Sequence, residues 1–201
     1  MLWLENLGRR VAQVAFSPLV NLLTARGITP NQVTWAGLLG YGVVAWLLTA
    51  GFSRAAGVAL AVLGPLDAID GMLARKTGQA SVKGAFLDST LDRYAEVLLF
   101  LGLTFYLLQN AYRDSRDMLL NACLVLAALS GSLLVSYTRA RAESLGFSCK
   151  IGLMTRFERL LLLSLALIFD VVRPALALLA VLAHLTAAQR IRHVMKQENG
   201  K

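Results

Sequence analysis

Residues 67–75 read Asp67-Ala68-Ile69-Asp70-Gly71-Met72-Leu73-Ala74-Arg75, and residues 84–92 read Gly84-Ala85-Phe86-Leu87-Asp88-Ser89-Thr90-Leu91-Asp92. Asp67 and Asp70 are three apart and Asp88 and Asp92 are four apart, so on helices each pair shares one face. Apolar runs flank both blocks. Carboxylates next to a membrane interior are costly and mark a functional site by default. Four in one low-dielectric pocket need cations to remain ionised. The short turn from Lys76 to Lys83 brings the two acidic stripes together. Gly71 and Gly84 let a ligand or a neighbouring helix approach the backbone.

Working outward, the chain of 201 residues is 57% hydrophobic, with a mean hydropathy of +0.60. Both values exceed those of ordinary soluble domains. The expected fold class is all-α integral membrane, in one domain over 1–201. Residues 1–30 form interfacial helices: Leu2, Trp3, Leu4, Leu7, Val11 and Val14 make an apolar side, with Arg9 and Arg10 near the other. Pro18 opens a second short helix ending near Gly27. Residues 32–192 form a bundle of six transmembrane helices, at about 32–50, 55–75, 85–108, 118–138, 157–172 and 174–192, matched to about 20 residues per crossing. The last two are separated by Arg173-Pro174 and are alternatively one long broken element. A cleavable signal peptide is not expected at the start.

The net charge of +8 raises the possibility of nucleic acid. The basic residues cluster in alternate loops rather than on one face, which favours anionic lipid head groups and phosphate-bearing substrates instead. With the amino terminus in the cytoplasm, fifteen of the twenty basic residues lie on that side. The expectation is a multi-pass protein of the cell membrane with both termini and the acidic site cytoplasmic. Cys123 is expected to be packed in an apolar run and Cys149 to be incidental in a loop.

Hard oxygen donors without organised Cys or His suit Mg²⁺, Mn²⁺ or Ca²⁺ rather than zinc. Asp67, Asp70 and Asp88 are the expected ligands of two ions. Asp92, one turn deeper, is left partly free as a general base. This division suits phosphoryl transfer, in which a carboxylate takes the proton of an attacking hydroxyl. A cation or proton transporter is a competing class, although no polar file continues through the other spans. A structural scaffold with lipid-binding loops is another.

The complete pattern D-x₂-D-G-x₂-A-R-x₈-G-x₃-D-x₃-D, at Asp67, Asp70, Gly71, Ala74, Arg75, Gly84, Asp88 and Asp92, resembles the signature of the CDP-alcohol phosphotransferase (class I phosphatidyltransferase) family. The resemblance implies a six-helix membrane enzyme, a homodimer, that moves a phosphatidyl group from a CDP-linked lipid to an alcohol and releases CMP. It implies two Mg²⁺ or Mn²⁺ ions on Asp67, Asp70, Asp88 and Asp92, with Asp92 as the catalytic base. It further implies that Gly71, Ala74, Arg75 and Gly84 cradle the CDP-lipid beside Asn31 and Thr34.

A second polar cluster spans 136–146 and 152–159. Guanidinium forks in it bind phosphate in bidentate fashion, which points to an acceptor that itself carries phosphate. Glu143 and Glu158 are expected to orient neighbouring arginines. The R-A-R-A-E-x-x-G and R-x-E-R blocks are similar to those of the family's prokaryotic phosphatidylinositol-phosphate synthases. That similarity implies that Arg139, Arg156 and Arg190 contact the acceptor phosphate. The implied reaction joins CDP-diacylglycerol and myo-inositol 1-phosphate; the alternative acceptor is glycerol 3-phosphate, as in phosphatidylglycerophosphate synthesis.

Overall fold

The computed structural model describes residues 16–66, 68–109 and 115–197. Asp67 and the first fifteen residues, with their expected amphipathic helix, lie outside the described residues. The secondary structure described is entirely helical: α1 (Phe16–Ala25), α2 (Pro30–Thr49), α3 (Ser53–Leu66), α4 (Ala68–Thr77), α5 (Val82–Gln109), α6 (Ser115–Ser144), α7 (Arg156–Ile168) and α8 (Val172–Val194).

Local chemistry sets the helix ends near the acidic blocks. Gly27, at φ 68°, ends α1, with the Ile28 N–H bonded to the Leu23 carbonyl at 3.0 Å. This left-handed closure favours glycine. Thr29 then caps α2. The Gln32 N–H donates to its hydroxyl at 3.4 Å, and the Thr29 N–H donates to the Gln32 side chain at 2.9 Å, with Pro30 opening the first turn. Thr-Pro-Asn-Gln is therefore a capping box, which satisfies amides left over at the helix start. Pro65 lies one residue before the end of α3; it has no N–H to donate to the carbonyl four residues back, which favours ending the helix there. The Ser81 hydroxyl accepts the Gly84 N–H at 3.1 Å and caps α5.

Helices occupy all six expected places. Among the described residues, four segments are long and apolar enough to cross a membrane: Pro30–Thr49, Ser53–Thr77, Ser115–Ser144 and Val172–Val194. α5 spans 28 residues but carries Asp88, Asp92, Arg93 and Glu96. α7 has 13 residues, about 20 Å of helix against about 30 Å of hydrocarbon. α7 and α8 are separate helices: α7 packs on α3, and α8 packs on α6. The turn between them contains Asp170 at φ 57°, its carboxylate accepting the Tyr106 hydroxyl at 2.7 Å.

The closest helix pairs are α2 with α5, α3 with α7, and α6 with α8. A glycine sits at each contact. A β-carbon on Gly102 would stand 2.8 Å from the Ala45 α-carbon, one on Gly57 2.8 Å from the Ser164 carbonyl oxygen, and one on Gly131 2.7 Å from the His184 ring. Such small residues let backbones approach where lipid supplies no hydrophobic drive. The core between the helices includes Tyr41, Leu48, Leu60, Phe100, Leu103, Leu163, Leu167 and Leu179. The outward faces are also apolar: Trp46, Leu101, Leu126 and Val181 are more than half exposed. Exposed apolar area on that scale marks a surface solvated by lipid. A smaller core of Val20, Ile69 and Leu73 ties α1 to α4.

The cysteines reverse their expected environments: Cys123 is exposed on α6 and Cys149 is buried. The loop after α6 folds back over α8, where Met154 N–H donates to Thr186 Oγ1 at 3.2 Å and Gln197 exchanges two hydrogen bonds with Ser148. Burial pushes the Cys149 thiol above its ordinary pKa, an effect only partly offset by the nearby Arg190 charge.

Candidate active site

The amino-terminal ends of α2, α4 and α5 converge on one cavity of about 640 Å³, whose walls include Thr34, Asp70, Asp88, Asp92 and Arg156. Its remaining wall is largely apolar, with Leu19 and Leu23 of α1, Val33 and Tyr41 of α2 and Leu63 of α3. Asp70 of the first acidic block and Asp88 and Asp92 of the second thus line one space.

Asp70 is 8% exposed. Its Oδ2 accepts the Thr34 hydroxyl at 2.8 Å and its Oδ1 accepts the Gly71 N–H at 2.6 Å. Helix α4 begins here, so its unpaired amides and dipole favour negative charge. A β-carbon on Gly84 would lie 3.7 Å from Asn31 Oδ1, and one on Gly71 would lie 3.5 Å from Arg75 Nη1. Asn31, Thr34, Asp70, Gly71, Arg75, Gly84, Asp88 and Asp92 therefore belong to one end of the bundle. Ala74 lies one turn beyond Asp70 on α4, partly exposed.

Asp92 forms an ion pair with Arg156, and a second guanidinium, that of Arg93, lies 3.6 Å away. Of the three arginines assigned to an acceptor phosphate, Arg156 lines the cavity. Arg139 is half-exposed and pairs with Glu143 at 2.8 Å. Arg190 is 3% exposed; its Nε donates to the Ile151 carbonyl at 2.8 Å and its Nη1 to the Val135 carbonyl. Glu143 thus orients an arginine as expected. Glu158 instead accepts the Thr155 N–H at 2.8 Å and caps α7. Its position three residues into the helix places the carboxylate over a free amide.

Glu96 was not singled out in the sequence, and Arg159, expected as one of four arginines at the cytoplasmic edge with Arg139, Arg141 and Arg156, is instead buried: the two form an ion pair at 3.1 Å just inside Asp92 and Arg156. The signal was present. Gly84, Asp88 and Asp92 step by four, and Glu96 is the next step; Arg159 stands one turn after Arg156.

The donor set facing the cavity consists of carboxylate and hydroxyl oxygens, which fits a hard divalent cation. Among the described residues no three acidic, His or Cys side chains already surround one point.

The family model described as CDP-alcohol phosphatidyltransferase matches residues 27–189. The chain belongs to the CDP-alcohol phosphatidyltransferase family. The match takes in the whole acidic signature, and this membrane protein is an enzyme of that class. It is similar to the archaetidylinositol phosphate synthase of Pyrococcus horikoshii, with 36% identity over 176 residues that cover 87% of this chain and 88% of that protein. It is also similar to the crystal structure of Mycobacterium tuberculosis phosphatidylinositol phosphate synthase with CDP-DAG bound. The TM-score is 0.78 at 29% identity, covering 89% of this chain and 92% of that one. The same mycobacterial enzyme in complex with manganese and citrate superposes with a TM-score of 0.78 at 30% identity, covering 89% of this chain and 88% of that one.

Proposed function

We propose that this enzyme transfers the phosphatidyl group of CDP-diacylglycerol to a hydroxyl of myo-inositol 1-phosphate and releases CMP. The observation that carries the reading is the single cavity in which Asp70, Asp88, Asp92 and Arg156 meet beside an apolar wall. A carboxylate base, a cation for phosphate and a surface for a lipid chain are the three things this reaction requires. The inositol phosphate names of the similar enzymes support the acceptor.

The acceptor hydroxyl attacks the β-phosphorus of the CDP-lipid. Its proton passes to a carboxylate oxygen of Asp92. The bond from the β-phosphorus to the bridging oxygen breaks, and that oxygen leaves with its electron pair on CMP. Asn31, Thr34, Gly71, Ala74, Arg75 and Gly84 hold the cytidine diphosphate. Two divalent ions, Mg²⁺ or Mn²⁺, held by Asp67, Asp70 and Asp88 with Asp92, would neutralise the diphosphate charge. The manganese complex of the mycobacterial enzyme supports a divalent metal. Arg156 blocks Asp92 while the two are paired, so it swings to the acceptor phosphate before Asp92 takes a proton. Arg139 approaches the same phosphate from α6. Arg190 braces the loop with two nitrogens and offers Nη2.

In the membrane, α5 and α7 complete a six-helix crossing with the four apolar spans. The acidic end and both termini face the cytoplasm, and two copies form a homodimer. Purified protein supplied with CDP-diacylglycerol and Mg²⁺ tests the reading when myo-inositol 1-phosphate, glycerol 3-phosphate, inositol and serine are offered in turn. Mass spectrometry is expected to find phosphatidylinositol phosphate; phosphatidylglycerophosphate as the main product would reassign the acceptor.

A further inference from the structure

Glu96 lies one turn inside Asp92 on α5, 8% exposed, and faces Arg159, which is 2% exposed. Its Oε1 accepts Arg159 Nη2 at 3.1 Å and the Ser132 hydroxyl. Its Oε2 faces Arg93 Nη1 at 3.8 Å. Arg93 Nη2 in turn lies 3.6 Å from Asp92 Oδ2. Arg93 is thus suspended between two carboxylates, and Asp92 already has Arg156 against it. Two anions hold three guanidiniums.

Glu96 Oε2, Arg93 Nε and Arg159 Nε are buried without hydrogen-bond partners. Where Glu96 faces Arg93, charge acts rather than a shared proton. At a separation near 4 Å, with the Glu96 side chain 10% and the Arg93 side chain 31% exposed, that attraction is only partly screened by solvent. Neutralising Glu96 would remove the carboxylate that shares Arg93 with Asp92, and the guanidiniums of Arg93 and Arg156 would then both compete with any cation for the Asp92 oxygens.

We infer that Glu96 is a positioning residue for cation loading: it competes with Asp92 for Arg93 and anchors Arg159, keeping Asp92 available to a divalent ion. The inference rests on the metal-binding reading of Asp92 proposed above. Its consequence is readable without turnover, as binding of Mn²⁺ alone.

The test titrates Mn²⁺ into detergent-purified protein without substrates and follows free Mn²⁺ by electron paramagnetic resonance. Folding is checked by size exclusion and thermal melting. Glu96→Gln is expected to weaken Mn²⁺ binding by about tenfold. Adding Arg93→Gln to it is expected to recover most of that loss, because the competing cation is gone. A purely structural role for Glu96 would lower the melting temperature without that recovery. Arg93→Gln alone is expected to tighten Mn²⁺ binding, and it decides the matter if Glu96→Gln does not fold. Wild-type affinity in folded Glu96→Gln, no recovery in the double variant, or unchanged affinity in Arg93→Gln overturns the inference. Absence of Mn²⁺ binding by the wild-type protein would remove the metal reading itself, a result distinct from all of these.

Discussion

The two ends of the helix bundle use the same residue types differently. At one end Asp70, Asp88 and Asp92 face a cavity, with Arg156 and Arg93 crowding one of them. At the other, Asp170 takes the Tyr106 hydroxyl at 2.7 Å and Asp117 pairs with Arg173 at 3.0 Å. There each carboxylate closes a contact between helices or turns. The carboxylates at the cavity end make contacts as well, Asp70 with Thr34 and Asp92 with Arg156, but they also line a space of about 640 Å³. What separates function from structure is thus the room in front of the charge rather than its presence.

Neutralising charges at the two ends should therefore have unequal consequences. Asp92→Asn is expected to lower turnover by about 10²–10⁴-fold, the usual worth of a positioned base, with CDP-lipid binding largely spared. Single-turnover kinetics beside equilibrium CDP-lipid binding would check this, and normal turnover would remove Asp92 from the base role. Arg156→Ala should raise the KM for inositol phosphate by about 10–100-fold, the range for a charge-assisted hydrogen bond, and the KM for CDP-lipid far less. If both rise together, Arg156 does not discriminate the acceptor.

At the opposite end, Tyr106→Phe should cost about 1 kcal/mol of stability and leave CMP release unchanged, as thermal melting and turnover would report. Asp117→Asn removes a partner from a pair whose side chains are 40% and 32% exposed. It should cost less than about 1 kcal/mol, again with activity unchanged. Loss of activity in either variant would break the contrast between the ends.

That Asp70, Asp88 and Asp92 line one cavity was legible in the sequence because the signal is local. Steps of three and four on a helix put Asp67 with Asp70 and Asp88 with Asp92, and the short turn from Lys76 to Lys83 left few ways to join the stripes. The helix positions were legible from apolar runs for the same reason. Other features depend on distant partners. Cys149 is buried because the loop after α6 folds over α8, pinned through Thr186 and Gln197. Arg190 binds the Ile151 and Val135 carbonyls because that loop lies against it. Glu158 looked like a partner for arginine until Thr155 was known to end the loop and begin α7. Glu96 was readable in principle, since it extends the four-residue step by one turn. Its burial against Arg159 depends on how α5 and α7 come to face each other.

We propose that carboxylates from two helices work as one centre on a CDP-activated lipid. The most direct measurement is the rate of CMP release from CDP-diacylglycerol with myo-inositol 1-phosphate and Mg²⁺, for the wild-type protein, Asp70→Asn and Asp88→Asn. Equimolar CMP and inositol phospholipid from the wild type, with either substitution alone removing nearly all of both, is the expected result. CMP release at the wild-type rate from either variant would contradict a shared centre.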